Sequence, residues 1–308
     1  MRDRRLALAL ALALVALPAV LVPIEAASFY AVNRDTGAFV HEGVRREYLL
    51  YVPKRYDGRR PTPLVISLHG AGLWGAVQRD FSGWNDKADR EGFIVVYPSA
   101  VGGRGIRVWH AGPGPGSSRD VRFLGALIDT IEAHYTIDTA RVYANGLSNG
   151  GGMSFVLSCT MADRIAAVGL VGSAQLLPWS WCTERRPVPM IDFHGTDDPV
   201  VPYGGGRTWI ADERFPSQPG WAANWARRNG CALGPVDSVV APDVTRRRYS
   251  HCESGADVVL YTIHGGGHTW PGGEPVPEWF AGRTTRTISA TGVMWEFFKA
   301  HPLVPPRR

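Results

Sequence analysis

Sulfur is scarce in this chain: four cysteines and five methionines in 308 residues. No two cysteines stand in a C-x-x-C spacing, so a zinc knuckle or a dithiol redox motif is not expected. His, Cys and Asp spacings suggest no metal, and no cofactor is called for. No G-x-x-x-x-G-K-[ST] phosphate loop follows an early strand, and nucleotide binding is not expected. Beyond the N-terminal segment there is no internal repeat and no low-complexity linker. Charge of one sign is also weak. The net charge is +5, some of it carried by the N-terminal arginines and by Arg307-Arg308. The cluster Arg246-Arg247-Arg248 lacks interleaved aromatics and reads as a solvated strand end, so no nucleic-acid partner is expected.

What is present is 45% hydrophobic residue content with 36 Gly and 23 Pro. That composition and length suit one large α/β domain better than two small ones. Eleven tryptophans exceed what a core needs, and a surplus often lines a cleft. Trp109, Trp179, Trp181, Trp270 and Trp279 fall in loops, and Trp270 and Trp109 are the candidates for a substrate cleft.

The N-terminus is a separate object. Arg2, Arg4 and Arg5 precede an apolar run from Leu6 to Val22, then Ala26-Ala27-Ser28. A basic head, an apolar core and small residues predict an export signal over 1–27, leaving 28–308 as one domain. The cleavage point is not fixed by the sequence, and the alternative is an uncleaved N-terminal membrane anchor. No cysteine lies nearby to take a lipid. With cleavage, no membrane partner is expected and the protein is secreted. The four cysteines agree, since an even count in an exported chain suggests two disulfides. Three pairings are possible, and sequence neighbours are preferred: Cys159–Cys182 and Cys231–Cys252.

Strand-like runs alternate with helical ones. Tyr48–Val52, Leu64–Leu68, Phe93–Tyr97, Ala166–Val171, Met190–Phe193 and Val258–Ile263 read as strands, several of them continuously apolar. Val121, Leu124, Leu127, Ile128 and Ile131 recur at helical spacing, predicting a helix over 119–135 after a Gly- and Pro-rich loop at 101–118. A closing helix is predicted over 288–299. The pattern implies a mostly parallel central sheet with helices on both faces, and a site at the carboxyl ends of the strands.

At one such end stands Gly146-Leu147-Ser148-Asn149-Gly150. It follows the strand-like Arg141–Asn145 and precedes a helical stretch. Strand, sharp turn and helix with a serine at the apex is the nucleophile elbow of the α/β-hydrolase fold. A serine hydroxyl needs a base, and the base needs an orienting acid. In this fold the chain order is Ser, then Asp or Glu, then His. His268 sits in a glycine-rich loop directly after Val258–Ile263 and is the expected base. His264 reads as structural, and His251 lacks such a loop. The acid should follow Met190–Phe193, where both Asp197 and Asp198 lie, with His194 bracing the loop. Two backbone N–H groups should receive the oxyanion. One is that of Asn149. The other comes from His69-Gly70-Ala71-Gly72, with Ala71 favoured over Gly70 and Gly72.

These segments resemble the exported polyhydroxybutyrate depolymerase-type esterases, a group similar to feruloyl and acetylxylan esterases. The likeness runs from about Tyr48 to Lys299. It is carried by Trp84-Asn85 through Ala88-Asp89, Gly92–Pro98, Asp120–Phe123, Ile137-Asp138 through Arg141–Tyr143, Gly146–Gly151, His194-Gly195-Thr196 with Asp198, and Gly267–Gly272. The family pattern H-G-T-x-D places the acid at Asp198 rather than Asp197. The resemblance implies Ser148 as nucleophile and His268 as base, and disulfides near these loops fit both preferred pairings. Many members carry cysteine where this chain has Ala71, a change that a backbone donor survives. Polymer-degrading members also append a linker and a binding domain, whereas this chain ends soon after its closing helix.

The resemblance implies a serine esterase acting on carboxylic esters of the polyhydroxybutyrate depolymerase type. The alternative is a feruloyl or acetylxylan esterase acting on plant cell-wall carbohydrate. An acyltransferase and a catalytically silent binding protein are the remaining readings. The partner is an ester substrate: a small ester, an oligoester or a polysaccharide-linked ester.

Overall fold

The computed structural model describes residues 36–101, 106–182, 186–208 and 211–304. The export segment expected over 1–27 lies outside the described residues. Among those described, no helix is long and apolar enough to cross a membrane.

The chain opens with a hairpin, β1 (Gly37–His41) and β2 (Val44–Tyr51), followed by β3 (Thr62–Leu68). Two short helices, α1 (Gly75–Ser82) and α2 (Trp84–Glu91), lead into β4 (Ile94–Pro98). Then come α3 (Pro115–His134), β5 (Ile137–Leu147), α4 (Asn149–Thr160), β6 (Ala167–Val171) and β7 (Met190–Gly195). A small hairpin, β8 (Gly206–Thr208) and β9 (Ala211–Phe215), precedes α5 (Gln218–Arg228). The chain continues through β10 (Leu233–Ala241), β11 (Val244–Ser250), β12 (Val258–Ile263), α6 (Glu278–Ala281) and α7 (Ala290–Ala300).

The main sheet has ten strands in the order β1-β2-β4-β3-β5-β6-β7-β12-β11-β10. Neighbours from β4 through β12 pair in parallel, and both flanks pair antiparallel. This is the α/β-hydrolase architecture that the alternation of strands and helices predicts. β3, β4, β6, β7 and β12 are buried along their whole length, as their apolar runs require. One face packs on α3, α4 and α5 through Phe123, Leu127, Phe155, Trp221 and Trp225. The other packs on α1, α2 and α7 through Trp84, Phe93, Trp295 and Phe298.

Three differences from the sequence reading have clear causes. The helix expected from 119 begins at Pro115, because proline at the first helical position lacks only an N–H that would go unpaired there. β10 is exposed along most of its length, so it has no apolar run to announce it. The arginine cluster lies within β11, where Arg247 pairs with Asp237 at 2.7 Å and Arg248 with Asp257 at 2.5 Å. Both preferred disulfides are present, Cys159–Cys182 and Cys231–Cys252.

One buried ion pair ties the first hairpin to α3. Arg46 Nη2 donates to Asp120 Oδ1 at 2.8 Å, with both side chains almost wholly buried. The guanidinium also lies 3.8 Å from the centre of the Phe123 ring. The other Asp120 oxygen accepts from the backbone N–H of His110 and lies 2.9 Å from its Nδ1. Removing one partner leaves a buried charge unmatched. Asp120→Ala is therefore expected to lower unfolding stability by about 3–5 kcal/mol, read by urea denaturation. An apolar pair, Arg46→Met with Asp120→Leu, should recover most of that loss; equal losses in both variants would refute the reading.

Candidate active site

The elbow is a packing problem before it is a catalytic one. β5 runs beside β3 and turns into α4 with almost no clearance. A Cβ on Gly150 would stand 2.2 Å from Leu68 O, and one on Gly146 would stand 2.3 Å from the Gly150 carbonyl carbon. Only glycine fits at either position. Between them Ser148 takes φ 55° and ψ −118°, a conformation that L residues rarely adopt. Backbone bonds hold it there. Its N–H donates to Val171 O at 2.8 Å, and its carbonyl accepts from Gly152 at 3.0 Å and Ala174 at 3.1 Å.

The acid and the histidine meet at the ends of β7 and β12. Asp198 Oδ1 accepts from the N–H groups of Val200 and Val201, each at 2.8 Å. Its Oδ2 lies 2.8 Å from His268 Nδ1 and 3.3 Å from His194 Nε2. Burial alone would raise the Asp198 pKa. The charge of His268 and hydrogen bonds from both histidines outweigh that and hold it well below the ordinary carboxylate value. Asp197 is exposed, accepts from Thr196 Oγ1 at 2.9 Å, and faces no histidine. His194 Nε2 also donates to Val201 O at 2.8 Å, so the ring braces the loop that carries Asp198.

His268 is held through its backbone. Its N–H donates to Ala281 O at 2.6 Å, and that of Gly267 to Arg283 O at 2.9 Å. The Arg283 side chain donates to Gly265 O and His264 O and pairs with Asp243 at 2.9 Å. β6 completes the convergence. A Cβ on Gly172 would lie 3.0 Å from His268 Nδ1, and Gly172 directly follows the residue that receives the Ser148 N–H.

Above the serine lies the loop after β3. A Cβ on Gly70 would be 3.5 Å from that of Ser148. Gly72 N–H is committed to Arg107 O at 2.7 Å, which removes it as a free donor. Ala71 N–H has no protein acceptor among the described residues, and Asn149 begins a helix, where N–H groups lack intrahelical partners. The stretch Gly70-Ala71-Gly72-Leu73-Trp74-Gly75 spells G-x-G-x-x-G between strand and helix, a spacing shared with dinucleotide-binding turns. Here the Gly72 donor is spent, and Gly75 packs against the carbonyl of Tyr97. His69 lies wholly buried beneath the loop, with Nδ1 2.7 Å from Gly70 O and Nε2 accepting from Ala100 N–H at 2.9 Å.

The cleft expectation for Trp109 and Trp270 is corrected. Trp109 is 1% exposed and Trp270 2% exposed, so neither ring faces a substrate. Trp109 is a strut. Its backbone N–H and carbonyl are both held by the Asn149 side chain, and its Nε1 donates to His69 O at 3.1 Å. Trp270 donates to Thr291 Oγ1 at 2.9 Å and packs under α7. Sequence reasoning missed Arg283 and the Asn149 side chain. No spacing pattern specifies either side chain, because Asn149 holds backbone atoms of Trp109 and Arg283 holds two carbonyls and Asp243, all on distant segments.

Comparison with known proteins agrees with this fold. The profile described as "Esterase PHB depolymerase" matches residues 46–177. Feruloyl esterase B of Piromyces equi is 32% identical over 72% of this chain, and the aligned stretch spans only 42% of that longer protein. Feruloyl esterase D of Neurospora crassa is 32% identical over 83% of this chain and 82% of its own length. In fold, the chain is similar to an acetyl xylan esterase from Aspergillus awamori, with a TM-score of 0.58 at 16% identity, covering 82% of this chain and 94% of that one. Matching the family profile, and sharing about a third of its residues with a relative over most of both chains, this chain belongs to the polyhydroxybutyrate depolymerase-type esterases, related to the feruloyl esterases, and is a carboxylic ester hydrolase.

Proposed function

We propose that this chain is an exported serine esterase, with 1–27 removed as an export signal and 28–308 forming one esterase domain. Ser148 is its nucleophile, His268 its general base and Asp198 the acid that orients the base. The observation that carries the reading is the 2.8 Å contact between His268 Nδ1 and a carboxylate already fixed by two backbone N–H groups, beside the elbow. A proton held on Nδ1 leaves the Nε2 lone pair for the serine hydroxyl. Ser148 Oγ attacks the ester carbonyl as His268 takes its proton. The N–H groups of Asn149 and Ala71 receive the oxyanion. The tetrahedral centre expels the alcohol, which leaves with the proton from His268. Water, deprotonated by the same ring, then attacks the acyl-enzyme and releases the acid.

Export is supported by the basic-then-apolar N-terminus and by two disulfides, which persist in oxidising compartments. Two substrate classes suit the chemistry: an oligoester of the hydroxybutyrate type and an ester on plant cell-wall carbohydrate. The relatives named as feruloyl esterases favour the second.

The proposed donor at Ala71 depends on His69. A carbonyl only accepts, so His69 Nδ1 carries the proton that orients the Gly70–Ala71 peptide, and Nε2 must stay unprotonated to accept from Ala100. Burial pushes its pKa down to about 4 from 6.5. The folded protein therefore resists a proton that the unfolded chain takes up, so stability from His69 is present above 6.5 and is lost as the pH falls towards 4. Buried Asp192, pushed up to about 6, gives the opposite slope over part of that range, so a difference between variants is the readout.

Ser148→Ala is expected to lower kcat for a short-chain chromogenic ester on the order of 10⁶-fold with circular dichroism unchanged. Unchanged turnover would sink the assignment. Only the wild type should be labelled by a fluorophosphonate. Asp198→Asn should lose about 10⁴ in kcat, whereas Asp197→Asn stays within about three-fold; the reverse order would reassign the acid. In urea titrations between pH 6.5 and 4, His69→Gln should show a shallower fall of stability than the wild type, by up to about 1.4 kcal/mol per pH unit. Identical slopes would contradict a neutral, buried His69.

A further inference from the structure

Trp279 and Phe280 leave 87% and 54% of their surfaces exposed, side by side on one short turn. Their rings meet edge to face with centroids 5.9 Å apart. Large aromatic rings left in water next to one another mark a binding surface more often than a single exposed apolar residue does. Unlike Trp109 and Trp270, these two are largely open to solvent.

The turn is anchored to the site. The N–H groups of Phe280 and Ala281 both close onto Pro277 O, at 3.0 and 3.1 Å. Ala281 is buried, and its carbonyl accepts the N–H of His268 at 2.6 Å. Trp279 is thus within one helical turn of the group that holds the proposed base. Pro275 and Pro277 restrict the backbone leading into the turn, so little backbone freedom is left there to lose on binding.

We propose that Trp279 and Phe280 form a subsite for the alcohol portion of the ester, and that this alcohol is a pyranose ring of a carbohydrate. The inference rests on the serine-esterase reading. In that mechanism His268 Nε2 protonates the departing alcohol oxygen, so the alcohol must leave across His268. The turn that carries the two rings is the one to which the His268 backbone is bonded. A pyranose offers a flat face of C–H groups for the indole and a rim of hydroxyl donors. Two exposed carboxylates, Glu274 and Glu278, precede the rings closely in sequence, and neither forms an ion pair among the described residues. Carboxylates accept hydrogen bonds and cannot donate them. A polyester backbone carries ester oxygens and no donors, so it would strip water from these carboxylates without replacing it. A sugar satisfies both the rings and the acids.

The test compares acetylated xylohexaose with 4-nitrophenyl acetate, which has no sugar to stack. Trp279→Ala and Phe280→Ala should each raise KM for the acetylated xylohexaose roughly ten-fold with little change in kcat, a loss of uniform binding. Hydrolysis of 4-nitrophenyl acetate should stay within about two-fold of wild type. Binding is read separately. Unmodified xylohexaose should quench tryptophan fluorescence in Ser148→Ala and bind at least about ten-fold more weakly, by calorimetry, when Trp279→Ala is added. Equal losses on both esters, no loss on the oligosaccharide, or a loss confined to 3-hydroxybutyrate oligomers would overturn the subsite. If the wild type fails on 4-nitrophenyl acetate, the esterase reading has failed instead, and the xylohexaose titration still decides the subsite.

Discussion

The closeness of β3, β5 and α4 at Gly146 and Gly150 is the constraint on which the site depends. Carbonyls of Leu68 and His69 come so near Gly150 that no side chain fits between them. That approach brings the loop after β3 over Ser148 and puts the start of α4 directly beneath it. The left-handed backbone of Ser148 follows, since only a sharp reversal joins a strand and a helix packed so tightly. Val171 and Ala174 then tie the end of β6 to the same residue, so three strand ends share one hydrogen-bonded knot.

Around that knot the buried ionisable groups divide into charged and neutral sets. Asp198 is surrounded by donors on every side and stays ionised despite its burial. His69, a short distance along the sheet, is kept neutral by the same burial because it has no counter-charge in contact. One carboxylate, Asp198, contacts the His268 imidazole, and one imidazole, His69, contacts the Gly70–Ala71 peptide from beneath its loop. Each works because the low dielectric of the interior makes a mismatched proton costly.

The tryptophans, too, divide by environment. Trp109 joins the Asn149 side chain to the loop after β3, and Trp270 joins the histidine loop to α7. Trp179, Trp221 and Trp225 pack with Phe155 against the outer face of α4. Trp279 alone of these stands nearly free in solvent. A residue type that looks like a binding signal in composition is therefore mostly scaffold. Its burial, not its loop position, decides which copy is left for a ligand.

By itself the sequence located most of the buried strands, the strand-turn-helix at Ser148 and the loops that carry Asp198 and His268. These are local facts: apolar runs that must be buried, glycines that alone permit a tight approach, and motifs read over a few residues. The resemblance, through its H-G-T-x-D spacing, pointed to Asp198, which lies 2.8 Å from His268 Nδ1, and the preference for sequence neighbours among three possible pairings anticipated both disulfides. Only the tertiary structure decided that Gly72 has no donor to offer, that Arg283 clamps the histidine loop, and that Trp109 and Trp270 are buried. β10 escaped the reading for the same reason, since an exposed edge strand needs no apolar run. Each of these depends on which backbone groups of distant segments meet, and a linear pattern records side-chain chemistry but not the partner that a folded neighbour supplies.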